Sequence, residues 1–161
     1  MIVNPLTPLL LKEESLIKKL LKPDYRYLEW GCGRSTEVFS PLVNYTLSIE
    51  HDKKWGEYLI GKNLLNVKVI IAELGKDYLD APNNHGLFDI ILIDGRHRVE
   101  CAYAVLDNNY LSANGFVIIH DWERLKYKEV LCRYDIIKET TGLDNTHKGL
   151  GILKPKQEIQ L

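Results

Sequence analysis

Ionisable side chains recur at particular places in this sequence, immediately after runs of apolar residues. Five such places read Glu29-Trp30-Gly31-Cys32-Gly33, Glu50-His51-Asp52, Ala72-Glu73, Asp94-Gly95-Arg96-His97-Arg98 and His120-Asp121-Trp122. Stability alone would not require carboxylates, imidazoles and guanidinium groups there, so these five ends form the candidate site. Gly31 and Gly33, one residue apart after an apolar run, suit a loop that lets a ligand approach the backbone. Glu50 follows Gly31 by 19 positions, the spacing at which a carboxylate after a second strand meets ribose hydroxyls. Together they point to a ligand containing a nucleoside.

Glu29 decides the charge of that ligand. A dinucleotide delivers pyrophosphate to a helix N-terminus and uses a third glycine or alanine in the loop. This chain has Thr36 at that position and an acid before the glycines, and both count against a nicotinamide enzyme. S-adenosylmethionine carries no phosphate and has two cationic centres, an ammonium and a sulfonium, for which a carboxylate is an asset. Ser35 and Thr36 are expected to offer hydroxyls and helix N-terminal amides to its methionine carboxylate. His51, Glu73 and Asp94, at neighbouring ends, are expected to border the same ligand.

Asp94, His97 and Asp121 are the candidates for catalysis. Asp94 ends the most apolar run, and Gly95 after it permits a sharp turn that faces the carboxylate toward a cleft. His97 reads either as a general base for a hydroxyl or as a histidine that orients its loop. Trp30, Trp55 and Trp122 offer ring faces to an adenine or a sugar, with Trp55, in a helix, expected to pack in the core. Arg96, Arg98, Arg124, Lys126 and Lys128 cluster around the fourth and fifth ends and would attract an acidic sugar, since arginine forks match carboxylates. His85 and His147 fall in polar loops and are expected to be solvated.

These residues require a scaffold of alternating elements. Leu9, Leu10, Leu16, Ile17, Leu20 and Leu21 recur at helical spacing before Pro23, which predicts an N-terminal helical segment within residues 1–23. Strands are expected over residues 25–29, 45–49, 67–71 and 88–93, and from Gly115 onward. Helices are expected over 35–43 and 54–65, followed by a stripe of Val99, Tyr103, Leu106 and Tyr110. The run "FDIILI" reads as a central strand buried on both faces. The alternation predicts an α/β, Rossmann-like, doubly wound sheet that is mostly parallel. Residues 134–140 and 150–153, joined by the polar loop 141–149, read as a hairpin that closes the sheet with one antiparallel edge strand. Ligands of such sheets bind beyond the carboxyl ends of the strands, where the five clusters fall.

The chain's 161 residues suit one domain with a sizeable core. Apolar residues make up 45% and charged residues 27%, an ordinary globular composition. A formal net charge of −1 lacks the basic footprint of a nucleic-acid binder. No apolar run approaches the ~20 residues that span a bilayer. The first residues show neither a basic n-region nor a small-residue cleavage site, so a cytoplasmic protein is expected. Cys32, Cys101 and Cys132 are widely spaced and odd in number, which fits reduced packing residues rather than a disulfide framework or a zinc site.

The combination of E-x-G-x-G, an acid after the second strand and D-G after the fourth resembles the class I S-adenosylmethionine-dependent methyltransferases. Within them, "LEWGCGRST", "LSIEHDKKW", "FDIILIDGRHRVECA" and "GFVIIHDWERLKY" resemble the glucuronoxylan methyltransferase and polysaccharide-biosynthesis group, over residues 25–135 or so. The resemblance implies a class I methyltransferase fold and transfer of a methyl group to a hydroxyl of a sugar or polysaccharide, notably glucuronic acid. It implies Glu29, Gly31, Gly33 and Glu50 as cofactor contacts, with Asp94 and Asp121 bordering the reacting centre. "IDGRHR" followed by "HD" is also similar to metal-dependent sugar O-methyltransferases, whose motif ends in an Asp-Asp pair. That likeness implies a Mg²⁺ site of Asp94, His120 and Asp121, weakened by a histidine where an oxygen ligand is preferred. The alternative to an enzyme is a catalytically inert cofactor-binding module of a larger assembly.

Overall fold

The computed structural model describes residues 9, 11–143 and 148–157, so Leu10 and His147 lie outside the described residues. In chain order the elements are α1 (Leu11–Leu20), β1 (Arg26–Trp30), α2 (Arg34–Phe39), β2 (Tyr45–Glu50), α3 (Lys53–Ile60), β3 (Val67–Ile71), α4 (Lys76–Asp80), β4 (Phe88–Ile93), α5 (Arg98–Asp107), β5 (Leu111–His120), β6 (Tyr134–Glu139) and β7 (Leu150–Pro155). Short 3₁₀ segments follow α2 and β5, over Ser40–Leu42 and Leu125–Cys132.

The seven strands form one sheet in the order 3-2-1-4-5-7-6. Strands β1 to β5 pair in parallel, and β7 pairs antiparallel with both β5 and β6. The sheet is therefore doubly wound and mostly parallel, as expected. The expected antiparallel C-terminal hairpin stands at the edge of the sheet, but its antiparallel strand is the inner one and not the edge strand. β7 inserts between β5 and β6, so the edge strand β6 runs in the same direction as β1 to β5. The residues of β7 explain this: Leu150, Ile152 and Leu153 are buried, whereas β6 is exposed after Tyr134. The more apolar strand takes the interior position.

β4 holds the centre and is buried on both faces. Ile91 and Ile93 pack with Trp30, Tyr78, Cys101 and Val105 on one side. Ile90 and Leu92 pack with Ile17, Tyr27 and Phe39 on the other. Each such side chain contributes roughly 1.5–3 kcal/mol of burial. Helix α5 turns a different face to the sheet from the one expected. Cys101, Ala102, Ala104 and Val105 are its buried residues, while Val99, Tyr103 and Leu106 are half-buried. Small side chains let the helix sit close, while of the expected stripe Val99 and Leu106 pack against the margin of the same core and Tyr110, beyond the helix end, is buried in it.

Element ends differ from expectation for local reasons. α2 ends at Phe39 and tightens into the 3₁₀ turn Ser40–Leu42, where Pro41 has no N–H to continue the α-helical ladder. Gly61 caps α3 at Ile60. β5 starts at Leu111, since Phe88 pairs with Leu111 across an irregularity that skips to Ile90 and Phe116. The short helix α4 has no periodic signal, with Tyr78 as its buried residue. Among the described residues no helix is long and apolar enough to cross a membrane.

Candidate active site

The glycine loop lies flat against the end of β4. Gly31 has φ +89°, and a Cβ there would come within 2.7 Å of the Gly95 backbone. Its N–H donates to the Ile49 carbonyl at 2.8 Å, tying the loop to β2. A Cβ at Gly95 would in turn run into the Tyr78 hydroxyl. Both glycines are therefore required by close approach, and at Gly31 by a left-handed backbone as well. Gly33 is in extended backbone at φ 170°, and a Cβ there would meet the Trp55 indole at 3.4 Å.

The carboxylate before the glycines points inward. Glu29 is fully buried and accepts from the hydroxyls of Tyr27 (2.9 Å), Ser35 (2.7 Å), Ser48 (2.6 Å) and Thr36. Burial raises its pKa, and the four hydroxyls hold part of that rise back. Glu29, expected to face a cationic ligand directly, and Ser35 and Thr36, expected to offer that ligand hydroxyls, bond to one another in the fold. All three side chains are spent on one another, joining β1, β2 and α2 beneath the loop. The Thr36 hydroxyl also accepts from Gly33 N–H at 3.0 Å.

Glu50 ends β2 and shapes the loop from the other side. Its Oε2 accepts from Cys32 N–H at 3.1 Å, and its Oε1 accepts from the N–H groups of His51 and Asp52, each at 2.8 Å. The Cys32 thiol also reaches Oε2 at 3.5 Å, and His51 Nδ1 lies 2.9 Å from Oε1, so the loop itself surrounds both carboxylate oxygens. His51 is partly exposed and stands edge-on to Tyr78, ring centroids 6.3 Å apart. Glu73, past the end of β3, is exposed.

The ends of β4 and β5 lie side by side, with Ile93 paired to Ile119, so Asp94 and His120 emerge as neighbours. His120 is 2% exposed. Its Nδ1 lies 2.8 Å from Asp94 Oδ1, and its Nε2 lies 3.4 Å from Glu13 Oε2 of α1. Nδ1 is within hydrogen-bond distance of Asp94, whereas Nε2 makes no hydrogen bond among the described residues and faces Glu13 at ion-pair distance. Burial alone would lower the pKa, but Asp94, Glu13 and Asp121 outweigh it and raise it to about 10. Arg98, in the first turn of α5, lies 3.4 Å from both Asp94 Oδ1 and Asp121 Oδ2. It also donates to the carbonyls of Asp94, Gly95 and His120. Asp121 adopts a left-handed backbone, φ 58°. Its Oδ2 meets Arg124 at 3.2 Å, while its Oδ1 is buried with no hydrogen-bond partner among the described residues.

These contacts correct the expected Mg²⁺ site. The Arg98 guanidinium sits between the two carboxylates that a cation would bridge. Among the described residues no group of three His, Cys, Asp or Glu side chains is arranged to hold a metal ion. Arg98 is likewise withdrawn from the cluster expected to attract an acidic sugar. Lys128 lies over the Trp122 ring at 3.8 Å and Lys126 over the Tyr127 ring at 5.1 Å, leaving Arg96 exposed and Arg124 half-exposed.

His97 caps α5 in the left-handed region, φ 50° and ψ 45°, without a side-chain capping bond. Its side chain is 44% exposed, with Nδ1 3.7 Å from Glu100. Such a backbone costs a non-glycine residue on the order of 1 kcal/mol, and strain of this kind collects at functional sites. The tryptophan expectations are reversed. Trp30 and Trp122 are fully buried, whereas Trp55 is half-buried, stacks on Tyr58 with centroids 5.2 Å apart and donates to the Cys32 carbonyl. His85 is partly buried rather than solvated, and its carbonyl accepts from Arg26. Cys32 and Cys101 are buried and Cys132 exposed, all three free thiols. Sequence reading missed Glu13 and Tyr78. Glu13 sits on a helix with exposed Lys12 and Lys18 around it, so nothing local marks it as interior.

The strand order, with its antiparallel seventh strand inserted before the sixth, defines the class I methyltransferase fold. Solved structures with that fold match over most of the chain. The N-methyltransferase NodS of Bradyrhizobium japonicum superposes with a TM-score of 0.67 at 14% identity, covering 91% of this chain and 96% of that one. A TehB-like S-adenosylmethionine-dependent methyltransferase of Corynebacterium glutamicum gives 0.64 at 14% identity, over 89% and 87%. An rRNA methylase of Streptococcus thermophilus gives 0.64 at 13% identity, over 91% and 95%. No protein-family model matches this sequence, and no curated protein matches it in sequence.

Proposed function

We propose that this chain is an S-adenosylmethionine-dependent methyltransferase acting on a hydroxyl of a sugar or polysaccharide. The observation that carries the reading is the cradle at the carboxyl ends of β1, β2 and β4. There Gly31 is packed on Gly95 where no Cβ would fit, with Glu50 on one side and Asp94 on the other. When bound, the cofactor supplies an electrophilic methyl group on a sulfonium. Gly31 and Gly33 let it approach the backbone, and Glu50, at the end of β2, is the carboxylate placed for the ribose hydroxyls, from which it would accept in exchange for a loop contact. His51 and Glu73 border the nucleoside side. Asp94 stands between the cofactor and the acceptor.

Asp94, His97 and Asp121 act on the acceptor. The orphaned Oδ1 of Asp121 suits the hydrogen of a sugar hydroxyl next to the reacting one, which holds the acceptor oxygen in line with the methyl group and leaves its own proton free to depart. His97, the exposed imidazole at the rim, takes the proton as the oxygen attacks. Glu29 supports the reading from beneath, by fixing the loop. The sugar assignment rests on the four sequence segments, and the net charge of −1 sets it ahead of an RNA acceptor, the substrate named for the Streptococcus thermophilus protein of the same fold.

Thermal-shift titration is the first test: S-adenosylmethionine or its demethylated product stabilises the protein and NAD does not. Stabilisation by NAD alone overturns the cofactor assignment. Transfer of labelled methyl to a uronic-acid polysaccharide is then expected. Transfer to RNA alone overturns the acceptor class, and binding without transfer to any acceptor leaves the inert module.

A further inference from the structure

The glycine loop has to hold its backbone still while a cofactor lies against it, and Cys32 is where that is hardest to achieve. Glycine on either side gives the Cys32 peptide wide conformational freedom. Its two backbone groups are nevertheless both held from outside the loop. The N–H donates to Glu50 Oε2 at 3.1 Å, and the carbonyl accepts from the indole N–H of Trp55. The tie to Glu50 is open to exchange, since that carboxylate is also placed for the ribose hydroxyls. The tie to Trp55 carries no such second duty. Trp55 stands in the first turn of α3, where the Asp52 side chain accepts its backbone N–H at 3.0 Å. Its ring is stacked on Tyr58, centroids 5.2 Å apart, and lies 3.4 Å from where a Cβ at Gly33 would be. Both rings stay partly in water, so the pair is spent on the loop and not on the core.

We infer that Trp55 is a positioning residue for the cofactor: it clamps the Cys32 carbonyl, so that the glycine loop keeps its shape while Glu50 gives up the Cys32 N–H for a ribose hydroxyl. The inference rests on the proposed methyltransferase reading and adds α3 to the cofactor site. The flanking residues are tied independently, Gly31 N–H to the Ile49 carbonyl and Gly33 N–H to the Thr36 hydroxyl. Cys32 is thus the one position of the loop whose N–H is released on binding. Without the clamp its peptide turns freely at that moment, and the cost of ordering it falls on cofactor affinity. The reacting end of the site, at Asp94 and Asp121, does not touch Trp55, so the chemical step is left as it was.

The test compares the full chain with its Trp55→Phe variant, which keeps a ring on Tyr58 and removes the N–H. Affinity for S-adenosylhomocysteine by calorimetry is expected to fall about three- to tenfold, the range that one lost hydrogen bond gives. KM for S-adenosylmethionine is expected to rise by a similar factor, with kcat within about twofold of the parent. The urea midpoint is expected to stay close to the parent's. A tryptophan that served packing alone would show the reverse, a lowered midpoint with unchanged affinity, and that result overturns the inference. Parent-like affinity in a folded variant overturns it too. Should Trp55→Phe fail to fold, NMR of the parent decides: the Trp55 indole N–H is expected to be protected from solvent exchange with S-adenosylhomocysteine bound. Exchange at the rate of a solvated indole in that complex overturns the clamp. Absence of cofactor binding by the parent itself overturns the methyltransferase reading instead, and with it this use of the residue.

Discussion

Asp94 is the side chain on which the proposed chemistry converges. It ends the most buried strand, its N–H donates to the Trp30 carbonyl at 2.9 Å, and one carboxylate oxygen is held by both His120 and Arg98. A rigid backbone and two cationic restraints leave little freedom for the group, which is what a residue next to a reacting atom needs. Asp94→Asn keeps the shape and removes the charge. Turnover on the true acceptor is expected to drop at least about 10²-fold, with cofactor affinity within roughly tenfold. Steady-state kinetics beside calorimetry measures both, and normal turnover would move the chemistry to His97 and Asp121.

Among the elements, the junction of β1, β2 and α2 is the tightest polar unit. Glu29 gathers four hydroxyls from these three elements while fully buried, so the glycine loop above it is supported by a charge-assisted network. Loss of the carboxylate leaves those hydroxyls buried without an acceptor. Glu29→Ala is therefore expected to destabilise the fold by about 3–5 kcal/mol, read as a shifted urea midpoint. A loss under about 1 kcal/mol would contradict an interior role and return Glu29 to the ligand. Helix α5 shows the same economy in a different form. Its small residues Cys101, Ala102 and Ala104 bring it against the sheet, and Arg98 in its first turn then ties the ends of β4 and β5 together.

At the scale of the whole molecule, the buried imidazolium makes stability depend on pH. His120 has a folded pKa raised to about 10 against an ordinary value of about 6.5. A raised pKa means that the folded state binds the proton more tightly. The resulting stabilisation is complete below about pH 6.5 and is lost as pH rises toward about 10, an effect on the order of a few kcal/mol. Denaturation midpoints of the parent are expected to decline over that window, and the decline should be largely absent in His120→Gln. Parallel pH dependence in the two proteins would mean that His120 is neutral in the fold.

Much of this molecule is legible in the sequence because it follows from local pattern. Apolar runs and helical spacing mark β1 to β5, the burial of β4 on both faces follows from its unbroken "FDIILI", and glycines with acids after the runs mark the carboxyl edge. Those properties belong to a few consecutive residues. The tertiary structure alone decides which charges meet. Glu29 and Arg98 read as ligand contacts in the sequence and become interior partners in the fold, because only the packed chain shows that hydroxyls from β2 and α2, or carboxylates from two strand ends, surround them. Nothing in the lysine-rich sequence of α1 marks Glu13, and it is buried facing His120 at the end of β5. The position of β7 between β5 and β6 is decided in the same way. Strand order depends on which edge buries more apolar surface, and that competition involves residues far apart in the chain.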